Sequence, residues 1–308
     1  MNARLARQRG VALITALLIF ALVGSVAANL AWDSALDLRR TMVLLYRDQA
    51  VQVALGAESW VQQILQDDLQ DTDTDHLGEI WATELPGLPI DGGELFGNVE
   101  DLQGRFNVNN LIDDTGSIDE TSVEQFRRLL TALGLDPRFA GIAADWIDSD
   151  RDAAFPDGAE DPIYTGLTPP YRAANQPLTS ASELAAIEGM DKASFDLLAP
   201  HIVALPGGTR INVNTATPAV LQSLDEGISA GDAERLLGER EEGGFGDIED
   251  TFSTLLQPEM LNRIDDKSSF FQLKVTVRIA TVRINYSSIY QRGAGGSTVP
   301  ILRSFETI

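Results

Sequence analysis

The sequence predicts an α+β protein: a long N-terminal helix packed on a small antiparallel sheet, with a large all-helical domain inserted into that sheet. Three observations predict it. An uncharged apolar run near the N-terminus continues into apolar residues at three- and four-residue steps, the mark of a single helix. Alternating apolar and polar residues occur in two separated places, before residue 110 and again over 268–308. The stretch between them, 110–267, is helical in pattern, so strands of one sheet flank an insertion.

With 308 residues the chain is long enough for an anchor plus one or two domains with real cores, and 44% hydrophobic content excludes wholesale disorder. Lys+Arg 23 against Asp+Glu 46 gives a net charge of −23. Such a field repels phosphate backbones and makes nucleic acid a poor partner. It suits divalent cations, on which several carboxylates can converge. There is no cysteine, hence no disulfide, cysteine-bound metal or thiol nucleophile.

The first ten residues form a short basic leader with Arg4, Arg7 and Arg9, ending in Gly10. Residues 11–32, VALITALLIFALVGSVAANLAW, carry no charge. At about 1.5 Å per residue they reach about 33 Å, enough to span a bilayer core. Arginines before the span and Asp33 and Asp37 after it place the N-terminus in the cytoplasm. An ordinary signal peptide would be cut after Ser25-Val26-Ala27, releasing the rest. A cut at Gly10–Val11 would instead retain the apolar segment. The second reading is favoured because helical spacing continues beyond the span, through Tyr46, Ala50, Val53, Ala57, Trp60 and Ile64. A released signal peptide has no need of such a stem.

Over 33–109 the stem helix ends in the acidic stretch Asp67 to Asp75, and a Pro/Gly linker follows from Pro86 to Gly93. FGNVEDLQGRFNVN then reads as a hairpin turning at Gly104, with Phe106 and Val108 on one strand face. Within 110–267 there is a weak repeat: Arg105-Phe106-Asn107-Val108-Asn109 matches Arg210-Ile211-Asn212-Val213-Asn214. Each copy leads into helix, glycine turn, helix. The second is similar to helix-hairpin-helix (SAM-like) modules, with Thr215 or Thr217 as cap and Gly227 and Gly231 in the turn. Its surroundings (Asp225, Glu226, Asp232, Glu234, Glu239, Glu241, Glu242) are acidic, so the module is expected to pack rather than grip DNA. Over 268–308, FFQLKVTVRIATVRINYSSIYQ places Val275, Val277 and Ile279 on one strand face. A turn at Gly293–Gly296 leads to a last strand, PILRSFE.

The chemistry-bearing stretch is DWIDSDRDAAFPDGAEDPIYTGLTPPYRAANQPL. Asp148, Asp150 and Asp152 set hard oxygen ligands on alternate positions, Asp145, Asp157, Glu160 and Asp161 lie close by, and Trp146, Phe155, Tyr164 and Tyr171 make the run too apolar for a free tail. The spacing is not that of an EF-hand: counted from Asp148, the sixth position is Ala153 and the twelfth Ala159. A calcium loop of another kind is expected. His76 and His201 are isolated, and no H-E-x-x-H or Walker sequence is present, so no enzyme is expected. From the residues alone two competitors stand beside an assembly protein. One is an anchored or secreted calcium-dependent hydrolase, and the other a competence-type DNA-binding helix-hairpin-helix protein.

Taken in order, RQRG-VALITALLIF with Thr15 at the fifth position after the cut, DLQGRFNVNNLI, DWIDSD…GAEDPIY…PPYRAANQPL and LPGGTRINVNTATPAVL resemble the K-type minor pseudopilins of type II secretion systems. The resemblance runs along nearly the whole chain. It implies a pseudopilin fold with an inserted helical domain that binds calcium. It also implies cleavage after Gly10 by the inner-membrane prepilin peptidase, methylation of the Val11 amine, and a place at the pseudopilus tip with I- and J-type minor pseudopilins, from which folded proteins are exported. Pilin-type stems usually carry Glu where this chain has Thr15; without it the subunit need not pair with one assembled earlier. Carried onto this sequence, the calcium ligands are Asp148, Asp150, Glu160 and Asp161, with Asp145 and Asp152 in reserve.

Overall fold

The structure, a computed structural model, describes residues 5–240, 243–293 and 295–306. Leader residues 1–4, and Glu241 and Glu242 of the acidic stretch, lie outside them. One helix, α1 (Leu5–Asp71), runs from the leader through the apolar span to the acidic stretch without interruption. An 18-residue window within it has a mean hydropathy of 2.6 and none of that window is buried, so by length and composition it can cross a membrane.

The C-terminal half of α1 lies on a five-stranded antiparallel sheet. Its strands are β1 (Leu85–Ile90), β2 (Gly93–Asp101) and, after the insertion, three C-terminal strands beginning at Phe270, Val282 and Thr298. The buried stripe of the helix is Ala50, Ala54, Ala57, Val61 and Leu65. It is rotated from the expected stripe, leaving Trp60 46% exposed. Small residues at 50, 54 and 57 let the helix approach the sheet closely, where Phe271, Leu273, Val275, Val277 and Ile279 alternate inward. The expected face of Val275, Val277 and Ile279 is the core face.

Two local expectations differ from the structure. The segment read as a linker is strand β1, joined to β2 through Asp91 and Gly92, whose positive φ of 79° makes the two-residue turn possible. Gly104 makes no hairpin. Phe106–Asn107, strand β3, leaves the sheet and pairs in parallel with Ile202–Val203. The role of Gly104 is close approach: a Cβ there would lie 2.6 Å from the carbonyl oxygen of Thr215. Gly104→Ala should therefore force the two repeats apart and destabilise the chain by roughly 1–3 kcal/mol, read from denaturant melts.

The insertion between β2 and the third sheet strand consists of two units. The first runs from β3 through α2 (Glu120–Ala132), α3 (Phe139–Ile147), α4 (Asp161–Tyr164) and α5 (Lys192–Leu198) to β4 (Ile202–Val203). The second runs from β5 (Ile211–Asn212) through α6 (Pro218–Ser223), α7 (Ala230–Glu239), α8 (Ile248–Phe252) and α9 (Pro258–Leu261) to β6 (Ile264–Asp265). Each closes by a parallel two-residue pairing, so the insertion is helical but not all-helical. The sheet then resumes with β7 (Phe270–Ile279), β8 (Val282–Arg292) and β9 (Thr298–Glu306).

The repeated Asn-x-Asn explains why the units resemble one another. Asn109 Oδ1 accepts from Leu178 N at 2.8 Å and its amide donates to the Leu178 and Leu205 carbonyls. Asn214 Oδ1 likewise accepts from Phe245 N at 2.7 Å. These buried amides satisfy loop backbone that neither helix nor strand reaches. One apolar core runs through both units, with Phe106 stacked on Phe126 at 5.0 Å. Thr217 caps α6. Gly227 lies in the turn, whereas Gly231 falls inside α7.

Candidate functional site

Helix α3 is apolar on every side and almost wholly buried, which carries Asp145 into the interior with no exposed surface. The loop after it folds back over that carboxylate. Asp145 Oδ1 accepts from Ala154 N at 2.7 Å, and Gly158 N donates to Ala154 O at 2.7 Å. Only glycine fits at 158, since a Cβ would lie 2.8 Å from Asp145 Oδ1 and still closer to the Ala154 backbone. Trp146, Tyr164 and Tyr171 form the apolar wall, with ring centroids 4.8 Å apart for the first pair and 5.4 Å for the second.

Of the six expected ligands, the fold gathers Asp145, Asp148 and Glu160, which are 0%, 4% and 1% exposed, beside Asp150. Burial, then the neighbouring Asp150, Asp145 and Glu160, pushes the Asp148 carboxyl up to about 7. Burial raises Asp145 and Glu160 as well. Asp150 is exposed and accepts from Asp152 N at 2.8 Å. Asp152 faces solvent. Asp161 accepts from Ala173 N at 3.2 Å and lies 3.7 Å from Arg172.

A seventh residue, Asn175, enters from the far side of the loop. Its φ of 45° is a conformation asparagine tolerates. Its amide nitrogen donates to the Asp150 carbonyl and, at 3.4 Å, to Glu160 Oε1. Sequence reasoning centred on carboxylates missed it; the available signal was an asparagine between an Ala pair and Gln-Pro in the same stretch. Three buried oxygens here lack any partner: Asp145 Oδ2, Asp148 Oδ1 and Asn175 Oδ1. All three are acceptors in an all-oxygen set, which is what a hard cation of calcium type requires. The carboxylates of Asp145, Asp148 and Glu160 do not close to within 4.8 Å of one another.

Among the described residues, only Asp68, Asp75 and Glu79 gather three carboxylate oxygens that tightly. There a protein cation is already in place, Arg292, whose side chain is 4% exposed and bonded to Asp75 and Asp68.

Around the α6–α7 hairpin the basic side chains are engaged within the chain. Arg128 donates to the Ser223 and Leu224 carbonyls, Arg240 to the Val213 carbonyl, and Arg235 pairs with Glu239 at 2.6 Å.

A membrane-length helix, lying along an antiparallel sheet that is interrupted by a two-unit helical insertion, defines a pseudopilin of the K-type architecture. The architecture matches that of a chain in the GspK-GspI-GspJ complex from the enterotoxigenic Escherichia coli type 2 secretion system. The TM-score is 0.77 at 24% identity, over 87% of this chain and all of that one. Models of the family described as type II secretion system (T2SS), protein K match residues 104–207 and 211–270, which correspond to the two units of the insertion. Type II secretion system protein K of Aeromonas hydrophila is 34% identical over 96% of this chain and 97% of its own length. That of Pseudomonas aeruginosa is 38% identical over 81% and 78%, and that of Pectobacterium carotovorum 35% over 89% of each. The chain belongs to the type II secretion system protein K family, and is a minor pseudopilin of that system.

Proposed function

We propose that this subunit is cut between Gly10 and Val11 by a prepilin peptidase, methylated on Val11, and held in the inner membrane by residues 11–32 with its head in the periplasm. From there it caps the pseudopilus tip together with I- and J-type minor pseudopilins and promotes assembly of the filament that exports folded proteins. The work is assembly, with no catalysis. The observation that carries the reading is the place of the insertion. It is spliced between β2 and β7, adjacent strands of the sheet packed on α1. That adds a lateral bulk that stacked shaft subunits would have to accommodate at every level, whereas a tip subunit need not. Thr15 fits this position. Its hydroxyl is turned back onto the Val11 and Ala12 carbonyls at 3.1 and 3.0 Å, so no charge in the span calls for a neighbour's ammonium. The matching solved complex joins GspK with GspI and GspJ, which supports I- and J-type partners here.

The α2–α3 and α6–α7 pairs are read as helix-hairpin-helix packing units. A calcium ion in the loop after α3 would be held by Asp145, Asp148 and Glu160, with Asp150 and the Asn175 carbonyl completing the set and Asp152 and Asp161 at its margin. Its contribution would be structural, neutralising carboxylates that otherwise repel.

Intact mass of the full-length chain, produced with a prepilin peptidase and its I- and J-type partners, tests the proposal. The expected result is a chain starting at methylated Val11 that co-purifies with both partners from detergent. A chain starting near Ala28, or a lone monomer beside both partners, would overturn it.

A further inference from the structure

The foot of the stem holds an unbalanced set of charges. Where α1 ends, four carboxylates converge from three parts of the chain: Asp68 on α1, Asp75 and Glu79 in the loop after it, and Asp101 at the end of β2. The cation among them is Arg292 of β8, stacked over Phe271 with 4.8 Å from guanidinium carbon to ring centroid. His76 stands 3.7 Å from Glu79, and Lys267 reaches only the exposed Asp73, at 4.0 Å.

The donors are shared unequally. Asp101 is bonded by Gln103 N, Asn212 Nδ2, Thr215 Oγ1 and Ser268 Oγ. Asp75 is bonded by Ser268 N at 2.7 Å and by the Arg292 guanidinium through both oxygens. Glu79 is bonded by Thr72 Oγ1, His76 N and Trp81 Nε1. Asp68 has one long bond, 3.3 Å from Arg292, and faces the negative charges of Glu79 and Asp75. It is the group for which a proton does most, because a protonated carboxyl can donate to a neighbouring carboxylate where an ionised one can only repel it.

We propose that the foot of the stem is a proton-operated clasp, in which Asp68 takes up a proton on mild acidification and thereby tightens the junction of stem, sheet and insertion. Three parts of the chain meet there. Asn212 of the second unit donates to the Asp75 carbonyl, the Asp101 carboxylate and Ser268, so loosening one contact loosens the set. Burial, with Glu79 and Asp75 behind it, lifts the Asp68 carboxyl to about 7, and burial lifts Asp75 to about 6. A carboxyl raised in the folded chain means the native state binds more protons than the unfolded one between roughly pH 4 and 7. Stability is then greater at the acid end of that window and declines as pH rises through it. Below it the effect levels off.

The test compares the full-length chain in detergent with Asp68→Asn, which is isosteric and cannot ionise, and with Asp67→Asn at the exposed neighbouring position. The expected wild-type melting temperature falls between pH 5.5 and 8.0. Asp68→Asn should lessen that fall and melt above wild type at pH 8.0, while Asp67→Asn should follow wild type. A wild-type profile without the fall, or an Asp68→Asn chain that melts lower at pH 8.0 with the fall intact, overturns the clasp. Hydrogen exchange of wild type alone, corrected for intrinsic rates, should show amides 72–79 and 266–269 better protected at pH 5.5. Equal protection at both values counts against the clasp even if the variant does not fold.

Discussion

Removing calcium with a chelator is expected to lower the melting temperature of the full-length chain by roughly 5–10 °C. An ion present at about a hundred times its dissociation constant adds about 2.7 kcal/mol to the state that binds it. For a head of this size each kcal/mol is worth about 2–4 °C. The ion would relieve Asp145, Asp148 and Glu160, three carboxylates that are almost wholly buried, two of them carrying oxygens without a partner. Asp148→Asn separates this reading from a general salt effect. In chelator the variant should melt at or above wild type, because one of the mutually repelling charges is gone. In calcium it should gain little, because a ligand is gone too. Melting curves of wild type that coincide in calcium and in chelator would remove the structural ion.

The second large effect is expected at Arg292. Arg292→Met keeps much of the side-chain volume but removes the charge from a pair whose side chains are only 4% and 2% exposed. Breaking a buried pair by removing one partner costs about 3–5 kcal/mol, since the remaining charge stays buried without compensation. The loss should be smaller at pH 5 than at pH 8, because Asp75 and Asp68, already raised to about 6 and about 7, then take up protons in place of the guanidinium. Arg138→Met, which breaks the exposed pair with Asp136, is the control and should leave the melt unchanged. A cost at Arg292 no larger than at Arg138 would mean the junction is held together by packing alone.

These two sites mark where the sequence could and could not be read. The acidic loop was legible as a cluster of carboxylates, because residue type at short spacing is written in consecutive residues. Which carboxylates turn inward was not legible, because that depends on how α3 is buried and how Gly158 lets the loop cross Asp145. Asn175 lies 25 residues beyond Asp150 and meets its carbonyl only through the fold. Arg292 carries no signal at all in its own neighbourhood. Its partners Asp68 and Asp75 are more than two hundred residues away.

The same division runs through the fold. Helix α1 and the strand character of residues 270–306 followed from periodicity, since an exposed apolar helix and alternating strands are written in consecutive residues; the turn at Ala280 that divides β7 from β8 did not. The hairpin assigned around Gly104 failed because two-residue strands such as Phe106–Asn107 have no period to detect, and their pairing with Ile202–Val203 is set by the closure of a whole unit.

By itself the sequence determined an apolar stem, an acidic head, a repeated Asn-x-Asn motif and a carboxylate loop, all properties of local residue type and order. Only the tertiary structure decided which carboxylates are buried, which single cation they share, and that stem, sheet and insertion meet at one junction. The reason is physical: charge burial and hydrogen-bond satisfaction depend on groups brought together from distant parts of the chain, and no local pattern records that meeting.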